Sequence, residues 1–545
     1  MFTYFHCYMP KTWQAQVNCG LIDENAGVRF LQSSINPDNE KFNVVAAKET
    51  PFAKMMEEQR LPMYIDRLQG GIYYENYNYD EELVKYYRDL LGDKFFGFQI
   101  HEWMSNLSND IKRIRECLEG GEWTEKSITD AVFKKFPFPQ LFIEAQSPKE
   151  HEITGNPKNV GEFFEIARSL FKRRMLKCSD QLIPCDSFGL AYKLEIDAGV
   201  KHFMPEIGAQ TPDTRMQIAY ARGMARTCKI DFGVYYEPWG GDPFSACCYN
   251  RDGDNEWGIG KKSDWPFETS GENGGSSRSL QKRAHLYGYF AGADYISEEW
   301  GMCNTFYDWR DFELTPYGKI KYDFLQLIKK YPKSEIGTPY TPVAIVLPKD
   351  YTVVSELGDI DGNDLWGYEL TGELAKTAKM VKKGLKALVS NPSDMVGCET
   401  HAIINSDIPD AIDIIHEDRT KYSDYEYFVN LTGNDEFEKT HRCCSVEDVP
   451  GVLKKLLPCE IEGGVHWFVN RVKNGWLLVV FNNSGIHRSV AKGEYAMPEG
   501  DCKIRVRIKN GSNLIPLEGC ADIKKQDEIY NMTIKSGEWF LAKFN

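Results

Sequence analysis

From Thr3 to about Pro332, short apolar runs alternate with helical segments, and this alternation dictates a parallel sheet with helical crossovers. Eight runs stand in order: Tyr4–Met9, Val28–Ser33, Met63–Leu68, Phe95–Trp103, Leu182–Phe188, His202–Gly208, Phe232–Trp239 and Ala293–Trp300. Eight parallel strands, each followed by a helix, close into a (β/α)8 TIM barrel. The helices between them carry one apolar face: Phe163, Ile166, Ala167, Leu170 and Phe171 recur with helical period, as do Leu83, Tyr86, Tyr87, Leu90 and Leu91. A ninth apolar run, Leu141–Ala145, is assigned to an insertion.

Residues 1–335 are therefore expected to form the barrel. Tyr331–Pro342, rich in Pro, Gly and Thr, reads as a linker. Residues 336–459 read as a small α/β domain, with a strand at Val343–Leu347, a helix at Glu373–Leu388, and further apolar runs at Ala402–Ile404 and Tyr427–Leu431. Residues 460–545 read as a β-sandwich. Trp467–Val472 and Trp476–Phe481 flank the turn Asn474-Gly475, Ile504, Val506 and Ile508 alternate, and Trp539–Phe544 closes the chain.

The net charge of −15 disfavours nucleic acid and anionic membranes as partners, and aromatic residues at 13% set beside acids favour a small sugar. No apolar run approaches 18 residues and the first residues lack a signal-peptide pattern, so a cytoplasmic location is expected. Fifteen cysteines without CxxC spacing are expected to be reduced core thiols, and His101, His202 and His285 ordinary hydrogen-bonding histidines. No metal or other cofactor is expected. Gly274–Ser279 lacks a P-loop lysine and is expected to be a loop or helix start near the site.

A barrel's active site lies at the carboxyl ends of its strands, and five runs end in acids there: Glu102, Asp186, Glu206, Glu237 and the adjacent pair Glu298 and Glu299. Converging carboxylates beside Trp103, Trp239, Trp257 and Trp300 suit glycoside hydrolysis, in which one acid protonates the leaving oxygen and another attacks the anomeric carbon. Of Glu298 and Glu299, side by side on a strand, only one can face the site. Glu206 and Asp186 are expected to bind substrate hydroxyls, and either Glu206 or one of the Glu298/Glu299 pair could replace a member of the catalytic pair.

Three segments carry a family resemblance. Phe96–Trp103 (FGFQIHEW), Gly233–Trp239 (GVYYEPW) and Gly288–Arg310, with Gly292–Asp294 and Trp309-Arg310, resemble strands four, seven and eight of the clan A glycoside hydrolases, in the family 42 β-galactosidase architecture. The order of barrel, small α/β domain and β domain is also similar. The resemblance implies Glu102 as acid/base and Glu237 as nucleophile. His101 departs from the family, standing where an Asn binds the sugar 2-hydroxyl, and would serve as donor in its place. Galactosidase activity itself is not carried over.

Glu102 would need a raised pKa, supplied by an apolar strand end beside Trp103, and Glu237 would need donors such as Arg67, Tyr235 or Tyr236. A carboxylate gap of roughly 5 to 5.5 Å would retain anomeric configuration. The expected function is a retaining exo-glycosidase acting on a small oligosaccharide or glycoside, with His101, Trp103, Asp186, Glu206, Trp239, Glu299, Trp300 and Arg67 binding substrate. The alternatives are a catalytically silent carbohydrate-binding protein and a different carbohydrate-active enzyme on the same barrel. By the same resemblance, Ile403–Asp418 would serve self-association in a homotrimer.

Overall fold

The structure is a computed structural model. It describes residues 3–31, 51–69, 81–118, 157–237, 276–351, 364–389 and 402–545, apart from a few positions within these ranges, together with isolated residues outside them. Eight parallel strands form the closed barrel: β1 (Thr3–Tyr8), β2 (Ala26–Leu31), β3 (Met63–Gln69), β4 (Phe95–His101), β5 (Leu182–Asp186), β6 (His202–Gly208), β7 (Asp231–Glu237) and β8 (Tyr295–Glu298). Every strand lies inside or beside the run expected for it. Leu141–Ala145 falls outside the described residues.

Helices α1 (Thr12–Asn18), α2 (Pro51–Gln59), α3 (Glu81–Leu91), α4 (Trp103–Leu118), α5 (Val160–Lys177), α6 (Tyr192–Ala198), α7 (Thr214–Cys228), α8 (Arg278–Phe290) and α9 (Pro316–Lys330) follow the strands, one after each except that α4 and α5 both stand between β4 and β5. The period-3.6 residues expected on two of them fall on α3 and α5. Because both faces of each strand are covered, the strands read as nearly unbroken apolar runs.

Tyr64, Ile183, Cys185, Met204, Tyr235 and Tyr295 form one buried cluster, separate from the core beneath the helices, and fill the barrel. A bulge at Gly97 shifts the pairing of β4 with β3. A Cβ at Gly97 would stand 2.2 Å from the Gln181 carbonyl oxygen, and its φ of +96° suits glycine. Past the bulge, Phe98 and Ile100 join the outer core. Alternation then turns Gln99 and His101 inward.

Beyond the barrel, β9 (Val343–Leu347) is the centre of a three-stranded parallel sheet, flanked by β10 (Ile412–His416) and β11 (Tyr427–Asn430), with α10 (Gly372–Leu388) in the same region. Ala402 and Ile403, expected in an apolar run of this domain, are buried but belong to no strand. One edge strand is β10, whose run Ile-Asp-Ile-Ile-His reads as interrupted because it includes Asp413. β10 is buried throughout against α7, where a Cβ on Gly223 would come within 2.3 Å of the Ile414 carbonyl oxygen.

The described C-terminal region has two larger antiparallel sheets and a two-stranded ribbon of Ile486–Ser489 with Gly493–Ala496. One joins β12 (His466–Val472), β13 (Gly475–Phe481) and β14 (Trp539–Phe544), with Ile515–Gly519 on one edge and Thr338–Pro339 on the other. The second joins Cys459–Glu462, Cys502–Ile508, Ile529–Ile534 and Ala521–Gln526. The expected linker is thus partly structural, since Thr338 pairs with Arg471. The hairpin turn sits one residue earlier than expected: Val472 pairs with Gly475, leaving Lys473 and Asn474 as its loop. Among the described residues, no helix is long and apolar enough to cross a membrane.

Candidate active site

Inward-facing positions at the carboxyl ends of the strands bring together a buried polar ring. β6 supplies Glu206, β7 Glu237, and the residue after β8 Glu299, with side chains nearly covered. β4 supplies His101 and, one residue on, Glu102. His101 lies between two acids, its Nε2 3.7 Å from Glu102 Oε2 and 3.5 Å from Glu299 Oε1. Glu102 is the exposed member, with 35% of its side chain open to solvent.

Two backbone features fix the catalytic candidates. Glu102 has φ of 49°, and its N–H donates to the Cys185 carbonyl at 2.6 Å, so the chain makes a left-handed step off the end of β4 at that residue. Gly208 pairs with Glu237, and a Cβ there would lie 2.6 Å from the Glu237 carbonyl oxygen and 2.9 Å from its Cβ. Only glycine lets β6 approach Glu237 so closely. Behind β7, Ser276 donates through Oγ to the Glu237 carbonyl at 3.1 Å. Ser277 caps α8 by accepting from the Leu280 N–H at 2.8 Å. Residues 276–277 are thus the helix start expected near the site.

Several expected site residues lie elsewhere. Trp103 is the first residue of α4 and is wholly buried, packed edge-on against Phe171 with Arg174 over its ring, so no indole face is open to a sugar. Asp186 ends β5 on the outward face, where its carboxylate accepts the Met104 N–H at 2.8 Å and caps α4. Asp186 alternates with the inward Cys185 and so faces the helices, whereas Trp103 leaves the strand through the left-handed step at Glu102 and opens α4. Glu298 likewise points outward, to Lys321 at 2.5 Å and His285 at 3.0 Å, leaving Glu299 as the inward member of the pair. Burial alone would raise the Glu298 carboxyl, but Lys321 and His285 outweigh it and hold it at about 2. Tyr235 faces the interior and Tyr236 faces His285 on α8. Arg67 lies on β3 with its side chain outside the description; Trp239, Trp257, Trp300, Trp309 and Arg310 lie outside the described residues.

Two interior residues escape the sequence reading. Arg29 on β2 is buried, with its guanidinium 5.1 Å over the Tyr235 ring and donating to the Glu298 carbonyl. Cys185 on β5 is paired in register with His101. The signal for both is parity. Cys185 is two residues from the inward Ile183, while Arg29, between apolar neighbours, is the lone charge in an otherwise apolar run. His202 lies deeper in the barrel, stacked on Phe96 at 4.1 Å.

No family model and no curated protein matches the sequence. Among solved structures, the chain is similar to a catalytic mutant of Gan42B, a family 42 β-galactosidase from G. stearothermophilus, with a TM-score of 0.51 at 8% identity over 100% of this chain and 98% of that one. Another structure of Gan42B gives a TM-score of 0.50 at 8% identity, covering 99% and 98%. The catalytic module of a family 98 glycoside hydrolase from Streptococcus pneumoniae gives 0.41 at 10% identity, covering 100% and 98%. In fold, the chain is a (β/α)8 barrel with two C-terminal additions, similar to the family 42 β-galactosidases.

Proposed function

We propose that the chain is a retaining glycoside hydrolase that removes a terminal sugar from a small oligosaccharide or glycoside. The observation that carries this reading is the ring itself. Four carboxylates, those of Glu102, Glu206, Glu237 and Glu299, lie at the carboxyl ends of β4, β6, β7 and β8, and Glu102 is the exposed one. A general acid must exchange protons with solvent in each cycle, which suits Glu102. A carboxylate nucleophile works in a covered site, which suits Glu237.

Glu102 protonates the glycosidic oxygen while Glu237 attacks the anomeric carbon, giving a glycosyl ester. Glu102, now ionised, takes a proton from water, which displaces Glu237. Glu206 and Glu299 accept hydrogen bonds from sugar hydroxyls. His101 donates to the sugar, and Arg29 supplies positive charge within the ring. The family 42 β-galactosidase of the same fold makes aryl β-galactosides the first substrates to try. A homotrimer is proposed alongside, and a single monomer peak in gel filtration at all concentrations would reject it.

With an aryl glycoside that is turned over, Glu102→Gln is expected to lower kcat/KM by about 10²–10⁴-fold. Glu237→Gln is expected to abolish turnover while sugar binding persists. NMR of the first-formed product should show the substrate's anomeric configuration. Unchanged activity in both variants, or an inverted product, would sink the assignment.

A further inference from the structure

Among the described residues, one group of metal-capable side chains converges: His101, Cys185 and Glu206, all buried, with candidate ligand atoms within 4.8 Å of one another. They come from β4, β5 and β6, neighbouring strands of one wall. His101 pairs with Cys185 and Cys185 with Met204, which places Glu206 two residues further along the same inward face. Backbone register, more than flexible side chains, brings the three together.

We propose that His101, Cys185 and Glu206 form a binding site for a divalent cation of the Zn2+ type inside the mouth of the barrel. One imidazole, one thiolate and one carboxylate belong to the donor set that tetrahedral zinc accepts, and three protein ligands leave a fourth position. With metal–ligand bonds of about 2.0–2.3 Å, tetrahedral ligand atoms stand about 3.3–3.8 Å apart, so shifts of about 1 Å would close the site. Glu299, with Oε1 3.5 Å from His101 Nε2, is placed to fill or hydrogen-bond the fourth position.

The electrostatics of the wall agree. Burial, then the charges of Glu206, Glu299 and Asp186, push the Cys185 thiol well above its ordinary value, against one hydrogen bond with Gln99. On binding, the S–H bond breaks, the sulfur–metal bond forms, and the proton leaves to solvent, so affinity rises with pH. The ion also offsets negative charge that the fold holds out of water.

The test is a Co2+ titration of the full chain in metal-free buffer, followed by absorption, and it needs no turnover. A failure of the hydrolase reading therefore leaves it untouched, and the reverse holds as well. One equivalent of Co2+ is expected to give a near-ultraviolet thiolate-to-metal band and visible bands of a four-coordinate ion, displaced by Zn2+. Cys185→Ser should lose the near-ultraviolet band, and Glu206→Gln should weaken Co2+ binding at least tenfold, with wild-type circular dichroism in both. No band up to millimolar Co2+ would overturn the proposal. So would a band unchanged in Cys185→Ser, which would assign it to another thiol. Should Cys185→Ser fail to fold, undiminished affinity in Glu206→Gln overturns the proposal alone.

Discussion

Glu102 holds a backbone conformation that non-glycine residues avoid, at a cost of order 1–3 kcal/mol, at the point where the proposed proton donor must leave the strand. Asn tolerates this conformation better than Glu. Glu102→Asn is therefore expected to gain about 0.5–1 kcal/mol in urea unfolding while losing hydrolysis, a pairing that ordinary damage to a fold would not produce. A second buried acid behaves differently. Glu195 on α6 is fully covered, neither oxygen has a hydrogen-bond partner among the described residues, and burial, then Asp186, raises its carboxyl well above the ordinary value. A folded-state pKa above the unfolded one means stability falls as pH rises from the ordinary carboxyl range towards the raised value. Glu195→Met should remove that fall and add about 1–3 kcal/mol at neutral pH, read from urea midpoints at pH 5 and pH 8. Neither property is legible in sequence. Glu102 is marked as an acid ending an apolar run, but its left-handed turn depends on the Cys185 carbonyl beside it, and nothing in the residues around Glu195 says that α6 turns it inward.

Strands are where the sequence speaks most clearly, because a parallel barrel strand is covered on both faces and shows as an apolar run whatever its neighbours. All eight are legible for that reason. Facing near a strand end is not, since a bulge such as that at Gly97 or a left-handed step such as that at Glu102 resets it, and only the register shows that Asp186 and Trp103 turn to the helices while Cys185 and Arg29 turn to the site. Glycines record the tightest inter-strand contacts. Gly233 on β7 pairs with Tyr295, and a Cβ there would meet the Tyr295 ring at 2.2 Å. Gly233→Ala should overpack the barrel interior and destabilise it by about 1–3 kcal/mol in denaturant unfolding. Helix α8 draws a cap from outside the barrel. Glu494 of the C-terminal region accepts from the Arg278 N–H at 2.6 Å and the Ser279 N–H at 3.0 Å. A partner more than 200 positions away leaves no local signature.

The barrel and the parallel sheet beyond it are joined by buried charge. Arg222 on α7 meets Asp413 at 2.6 Å and Asp410 at 3.1 Å; Arg226, Thr341 and Tyr425 complete the Asp413 shell, and Tyr287 and His466 that of Asp410. Breaking such a network by removing one partner strands the others, so Arg222→Met should cost about 3–5 kcal/mol in global unfolding. The three-part order is legible from changes in periodicity, yet nothing in it announces that Asp410 and Asp413, in a segment without helical or strand pattern, face barrel arginines almost two hundred positions earlier. A thinner thread runs to the site. Buried Arg488, from the strand Ile486–Ser489, donates to the Ser276 carbonyl at 3.2 Å, and Ser276 holds the carbonyl of Glu237. During synthesis all eight strands leave the ribosome well before Arg488 does, so a nascent barrel can close while the backbone at the end of β7 still lacks its last tether. The barrel would come fully into register only once residue 488 has been made.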